Sequence, residues 1–333
     1  MRCGPAAVCS FPIRRGVSID LRTIPRILRI EGLIPFTGCA ILLGFAVTIS
    51  ETGFFGSDWL LFGIAAIIAL LIHMDAHIWN DIMDLAIDRR EKSKETGRDR
   101  PLVFGWATIG DYRKLSAVIT VLVVVLTAFL AIHRIAIPLL VLLGFLFDYG
   151  YNHPRFALAH KPYTEWYIFP WLMVAVTVTT VYAATGIFPV TAFILSLLNG
   201  LVATCFVVSM MRRDFRSDRI GKKFTTSVKY PELPHSTRYG IVTMVVAVLM
   251  FYPLAQVPGR PGAAYLLVLI TVVIAGADTF LGATIDQLCT RARYTDFPGF
   301  ESEANSLMLR QVMVSILYSV VISVMVVVFW GMA

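Results

Sequence analysis

Two stretches of this 333-residue chain carry acidic residues at helical spacing. The first reads Asn80-Asp81-Ile82-Met83-Asp84-Leu85-Ala86-Ile87-Asp88, the second Asp214-Phe215-Arg216-Ser217-Asp218. On a helix, Asp81, Asp84 and Asp88 fall at i, i+3 and i+7, on one face, and Asp214 and Asp218 at i and i+4, again on one face. Carboxylate oxygens with water suit Mg2+, which keeps several waters and is usually shared with substrate phosphates. Basic residues follow each cluster: Arg98 and Arg100 after the first, Arg219, Lys222 and Lys223 after the second. Carboxylate, metal, diphosphate and Arg/Lys would then alternate in charge. The predicted chemistry is magnesium-assisted handling of a diphosphate.

The elements that position these acids are membrane spans. Hydrophobic residues make up 57% of the chain and charged residues 15%, and apolar runs of about 18 residues or more read as transmembrane helices. Pro and Gly interrupt the runs, and the alternating pattern of a membrane barrel is absent. Nine spans are predicted, near 32–50, 58–80, 115–132, 135–150, 166–185, 188–211, 239–256, 262–289 and 308–331. With this count, all but Arg134 and Arg260 of the 29 Lys and Arg residues fall on one side. Basic short loops stay cytoplasmic, so the N-terminus and both acidic loops are expected in the cytoplasm and the C-terminus opposite. The net charge of +7 is therefore a matter of topology and not of nucleic-acid binding. Residues 1–30 read as a basic cytosolic arm, with Leu21 to Ile30 as an interfacial helix carrying Arg22, Arg26 and Arg29 on one face. Residues 31–333 read as one transmembrane domain. Because the acidic loops follow spans two and six, two four-helix repeats of parallel orientation plus one extra helix are expected.

A carboxylate at the bilayer centre costs about 2.5–3.5 kcal/mol, so five acids must face a watery cavity and be neutralised by cations. His73 and His77 precede Asp81 at four-residue intervals and extend its polar stripe into the membrane, where they would line a second-substrate pocket or bond between helices. Tyr149, Tyr151, Tyr163, Trp166 and Tyr167 cluster near the same side; aromatic faces stabilise cations. Asn152, His153 and Lys161 add polar groups to the loop after span four. Asp75 and Asp278 are further intramembrane acids and functional suspects by default. Five scattered cysteines without a Cys-x-x-Cys pair suggest neither a disulfide framework nor a zinc site.

Asn80-Asp81-x-x-Asp84-x-x-x-Asp88, followed by Arg100-Pro101-Leu102 and Gly105, resembles the first signature of the UbiA superfamily of intramembrane prenyltransferases. Asp214-x-x-x-Asp218-Arg219-x-Gly221-Lys222-Lys223-x-Thr225 resembles its second. The resemblance implies an all-α polytopic bundle around a central cavity, two Mg2+ ions held by the two Asp motifs, and a prenyl diphosphate donor. It further implies diphosphate contacts from Asn80, Arg98, Arg100, Lys161, Arg219, Lys222 and Lys223, and transfer of the isoprenoid chain to a lipophilic acceptor, a quinone precursor or a lipid. The chain departs from the family at Tyr151-Asn152-His153-Pro154-Arg155, at Lys161-Pro162-Tyr163 and at Arg29-Ile30-Glu31, regions that the resemblance implies touch the acceptor. Alternatives are a cyclase of the same family, in which the allylic cation is quenched within its own chain, and a secondary transporter. Against a transporter, the acids sit at one end of the repeats and not at the midplane.

Overall fold

The computed structural model describes residues 23–89, 100–153, 155–256, 261–294 and 299–330. All regular structure among them is helical. Eight helices are long and apolar enough to cross a membrane: α1 (Ile34–Thr52), α2 (Trp59–Asp88), α3 (Ile109–His133), then, after the shorter apolar α4 (Ile137–Asn152), α5 (Thr164–Thr185), α6 (Val190–Arg213), α7 (His235–Ala255), α8 (Gly262–Ala292) and α9 (Ser302–Phe329). The fourth expected span is thus a 16-residue helix, shorter than the others, because Pro138 opens it and Pro154 comes just past its end.

Local signals set the helix ends. Asp58 caps α2 by accepting from the Leu61 amide at 3.1 Å. Thr108 and Asp111 form a reciprocal capping box at the start of α3. Gly186, at φ +76°, ends α5 in the left-handed conformation that glycine adopts most easily. Arg134 Nε then donates to the Tyr182 and Ala183 carbonyls of the last turn of α5 at 3.2 and 3.0 Å. A basic residue in this otherwise uncharged loop therefore serves the C-terminal dipole of α5.

Helices α2 to α5 pack on one another, as do α6 to α9; α5 and α6 join the two groups directly, and α1 packs on both through α5 and α9. Each group has its own core. One gathers Ile68 and Ile78 of α2, Tyr112 and Val123 of α3 and Val141 of α4; the other gathers Leu195 and Val202 of α6, Leu267 of α8 and Tyr318 of α9. The most apolar stretch of α6 is 83% buried against 22% for that of α3, so α6 is the hub and α3 faces the surroundings. Residues 1–22, with most of the expected arm, lie outside the described residues. From Thr23 onward the chain departs from the single interfacial helix expected there: two short pieces, Ile24–Ile27 and Ile30–Leu33, are broken at Arg29, whose φ is +46°.

Where α5 meets α6, Pro170 lies inside the helix and Gly200 faces it; a Cβ on Gly200 would stand 2.8 Å from the Pro170 Cα and carbonyl oxygen. Small residues permit such backbone approach in membranes. Gly200→Ala is expected to push α5 and α6 apart at a cost of about 1–3 kcal/mol, lowering the Tm of the detergent-solubilised protein; an unchanged Tm would show that the contact is not tight.

Candidate functional site

From Trp59 to Asp88 the chain has no Pro and one Gly, so α2 runs unbroken through the first acidic motif. Asp81, Asp84 and Asp88 are 3%, 6% and 2% exposed. Buried carboxylates need compensating partners, and each has them. Asp81 pairs with Arg29, accepts from the Tyr112 hydroxyl at 3.4 Å and lies 4.0 Å from Arg100. Asp84 has Lys223 Nζ at 2.9 Å on one oxygen and His160 Nε2 at 3.0 Å on the other. Asp88 pairs with Arg100. Four separate segments thus send a basic side chain to one face of α2.

The second motif lies at the end of α6. Asp214 stands at the junction with a short helix, Phe215–Ile220, and is held by its neighbour Arg213 at 2.6 and 3.0 Å. Asp218, one turn on, is buried and accepts from Thr225 Oγ1 at 3.4 Å. Gly221 brings this segment against α2: a Cβ there would stand 2.6 Å from Ile87 Cγ1. This close approach carries Lys223 to Asp84. Burial works against the Lys223 charge, but the carboxylates of Asp84, Asp218 and Asp214 outweigh it and raise its pKa above the usual lysine value. Burial, aided by the Arg29 guanidinium, lowers Arg100 to about 10, with Asp81, Asp84 and Asp214 opposing. Both side chains remain cations at neutral pH.

The other expected residues divide into two groups. Asn80 is half-buried beside Asp81, whereas Lys161, Arg219 and Lys222 point outward and are exposed; Arg98 lies outside the described residues. The rings of His73 and His77 lie 4.6 Å apart, tilted by 34°, and His73 Nδ1 is 2.7 Å from Thr37 Oγ1. The residues entering α1 cover this stripe in antiparallel order, Arg29 on Asp81, Gly32 against His77 and Thr37 on His73. Tyr151 packs on Phe169 and interacts electrostatically with Glu165, Asp84 and Asp218, which places it beside the acids. Three residues differ from expectation. Tyr149 is half exposed and stacks on His153; Asn152 donates to Asp148 at 2.7 Å; Tyr163 is 40% exposed and leans on Trp166 and Tyr230. Tyr149 and Asn152 lie at i−2 and i+1 from Tyr151, on other faces of α4, so one helix cannot turn all three toward the acids.

His160, Arg29 and Tyr112 are the residues at the site that sequence spacing missed. Arg29 was expected on a surface helix, and instead turns inward at the left-handed break. His160 sits next to the expected Lys161, in a loop whose path no periodicity describes. Tyr112 is 31 residues from Asp81, and nothing local links them. Among the described residues, Cys39, Cys205 and Cys289 are buried and free.

Comparison with solved structures finds the same fold. A UbiA homolog from Archaeoglobus fulgidus bound to GPP and Mg2+ superposes with a TM-score of 0.63 at 14% identity, over 92% of this chain and 99% of that one. The apo UbiA homolog from Aeropyrum pernix K1 gives 0.56 at 17% identity, over 89% and 99%. A study of digeranylgeranylglyceryl phosphate synthase in membranes provides a third, at 0.53 and 16% identity, over 91% and 98%. No curated protein matches in sequence. The UbiA prenyltransferase family matches over residues 39–293, which include both acidic motifs and most of the bundle that presents them, and the chain is therefore a multi-pass membrane protein belonging to that family.

Proposed function

We propose that this protein transfers an isoprenoid chain from a polyprenyl diphosphate to a lipophilic acceptor within the membrane, releasing diphosphate. The observation that carries the proposal is the set of buried acids at the end of α2, each matched by a basic side chain from another segment. Such a set is suited to a ligand that is itself a stack of cation and polyanion. The donor set also fits Mg2+. Its groups are all carboxylates, the hard oxygen ligands that Mg2+ takes together with water and substrate phosphate. Relatives bound to GPP or DMAPP together with Mg2+ support the same ligands here.

Asp81, Asp84, Asp88, Asp214 and Asp218 would hold two Mg2+ ions, which supply neutralisation of the departing diphosphate as its C–O bond ionises. Arg29, Arg100, His160 and Lys223, now on the carboxylates, would turn to the phosphate oxygens, joined at the mouth by Arg98, Lys161, Arg219 and Lys222, with Asn80 orienting the first motif. Tyr151 would present its ring to the allylic cation. The His73–His77 stripe would orient the acceptor head group, and the residues entering α1, which cover it, would keep water from the cation. The unit that does this spans residues 31–333, with the acidic ends and the arm of residues 1–30 in the cytoplasm. A polar stripe beside the acids favours transfer over cyclisation, since buried polar groups are costly unless they find partners.

Four outcomes are expected. In single-cysteine labelling of oriented vesicles, Arg155→Cys and Arg216→Cys should react from the cytoplasmic face and Phe55→Cys and Ile135→Cys from the other; reaction of all four from one side would overturn the orientation. Asp81→Asn or Asp218→Asn should lower diphosphate release about 100-fold or more, as should EDTA; full turnover in EDTA would refute the metal model. Gly221→Ala should give a smaller loss through displaced Lys223. Prenyl diphosphate and Mg2+ alone should turn over slowly and a membrane extract should accelerate release with a prenylated product by mass spectrometry. Rapid formation of a cyclic hydrocarbon without extract would assign the protein to the cyclase branch.

A further inference from the structure

A second group of acids lies on another face of α2. Asp75 is 4% exposed and sits six residues before Asp81, which on an ideal helix is about 9 Å deeper and roughly 120° around the axis. Across from it, Asp148 of α4 is 8% exposed and close enough to interact with it electrostatically. Asn152, one turn after Asp148, donates its Nδ2 to Asp148 Oδ1 at 2.7 Å. Ser116 of α3 and Trp79 of α2 lie within hydrogen-bonding reach of Asp75, and the Trp79 indole donates to Ser116 Oγ at 3.1 Å. Asn152 and Ser116 are themselves 3% and 6% exposed. Three helices therefore bring four oxygen-bearing side chains to one buried place.

Among the described residues, no Lys, Arg or His pairs with Asp75 or Asp148. Two buried acceptors have no donor at all: Asp75 Oδ1 and Asn152 Oδ1. Buried polar atoms in native proteins find partners, and an orphan calls for an unseen water or ion. A proton shared between the acids would be expected to pair an acceptor with an O–H, and Asn152 Oδ1, next to the amide nitrogen that already serves Asp148, has none. Oxygen atoms without donors, beside two carboxylates, match a hard divalent cation in charge and in ligand type.

We propose that Asp75, Asp148, Asn152 and Ser116 form a second cation site, for an oxygen-seeking divalent ion such as Mg2+ or Ca2+, separate from the diphosphate site. An ion there would tie α2, α3 and α4 together behind the face that carries Asp81, and so fix the rotation of the helix that presents the first acidic motif. The proposal does not depend on the prenyl-transfer reaction, because the ion is bound without substrate.

Trp79 provides the test, as an indole beside the site can sensitise luminescence from Tb3+, a hard oxygen-seeking probe. Full-length protein without substrate should give Tb3+ emission on tryptophan excitation, and the signal should survive in the Asp81→Asn, Asp218→Asn double variant. Trp79→Phe should remove the emission, and Asp148→Asn should weaken Tb3+ binding by about tenfold or more. Competition by Mg2+ and by Ca2+ identifies which ion the site prefers, and the preferred ion should raise the Tm of the wild type. Asn152→Leu, which keeps both carboxylates, should weaken Tb3+ binding and reduce that rise, so the test stands even where Asp148→Asn does not fold. Emission unchanged in Asp148→Asn, or lost in the Asp81, Asp218 variant, would overturn the proposal. A wild-type Tm that follows pH and ignores both metals would also overturn it, in favour of protons.

Discussion

Carboxylates buried at the ends of membrane helices dominate the architecture of this protein. An unpaired ion in a low-dielectric surrounding costs several kcal/mol, and breaking one partner of a buried pair costs about 3–5 kcal/mol. Asp81, Asp84 and Asp88 are each nearly inaccessible, so the chain has to return to the end of α2 from several directions. Arg29 arrives from before α1, Arg100 from the loop after α2, His160 from the loop after α4 and Lys223 from beyond α6. The geometry of the acidic mouth is a consequence of this requirement. Under the proposed function, a polyanion would offer the basic side chains new partners and a metal ion would offer the acids theirs, so neither set would have to stand bare during the exchange.

The packing of the bundle serves the same end. Helix α6 is the hub, and its buried stretch ends at Arg213, immediately before Asp214. Contacts that fix α6, above all the approach of Gly200 to Pro170, therefore fix the second acidic motif. Gly221 then sets the distance between the two motifs, since a larger residue would meet Ile87, one position before Asp88. At the opposite end, Arg134 and Gly186 close α5 without touching the acids. Close backbone packing, and not a network of surface ion pairs, holds the two halves in register, as expected where lipid removes the hydrophobic drive between helices.

Helix α2 is polar on two faces, which is unusual for a span flanked by apolar residues throughout its first half. One face, His73, His77, Asp81, Asp84 and Asp88, is covered by the residues entering α1 and by the basic loops. The other bears Asp75 and Trp79 toward α3 and α4. Polar residues on both sides restrict rotation of the helix about its axis, because a turn in either direction would move an acid into an apolar neighbour. Precise aim of the acidic face is what binding a diphosphate requires.

Local patterns in the chain determined the class of the molecule. Apolar run length marked the spans, since a bilayer sets how many residues must cross it, though eight and not nine of the described helices are long and apolar enough to do so. Helical periodicity put Asp81, Asp84 and Asp88 on one face, and α2 continues through them as that spacing requires. Only the tertiary structure decided which side chains meet these acids. Arg29 depends on a left-handed break that no propensity marks, and His160 on the path of a loop. Tyr112 reaches Asp81 because α3 packs on α2. Asn152 illustrates the opposite case: its type and loop pointed to the acceptor pocket, but the rotation of α4 turned it to Asp148. Spacing along one helix is a local property that sequence carries directly, whereas the angle between helices is fixed by packing across the whole bundle.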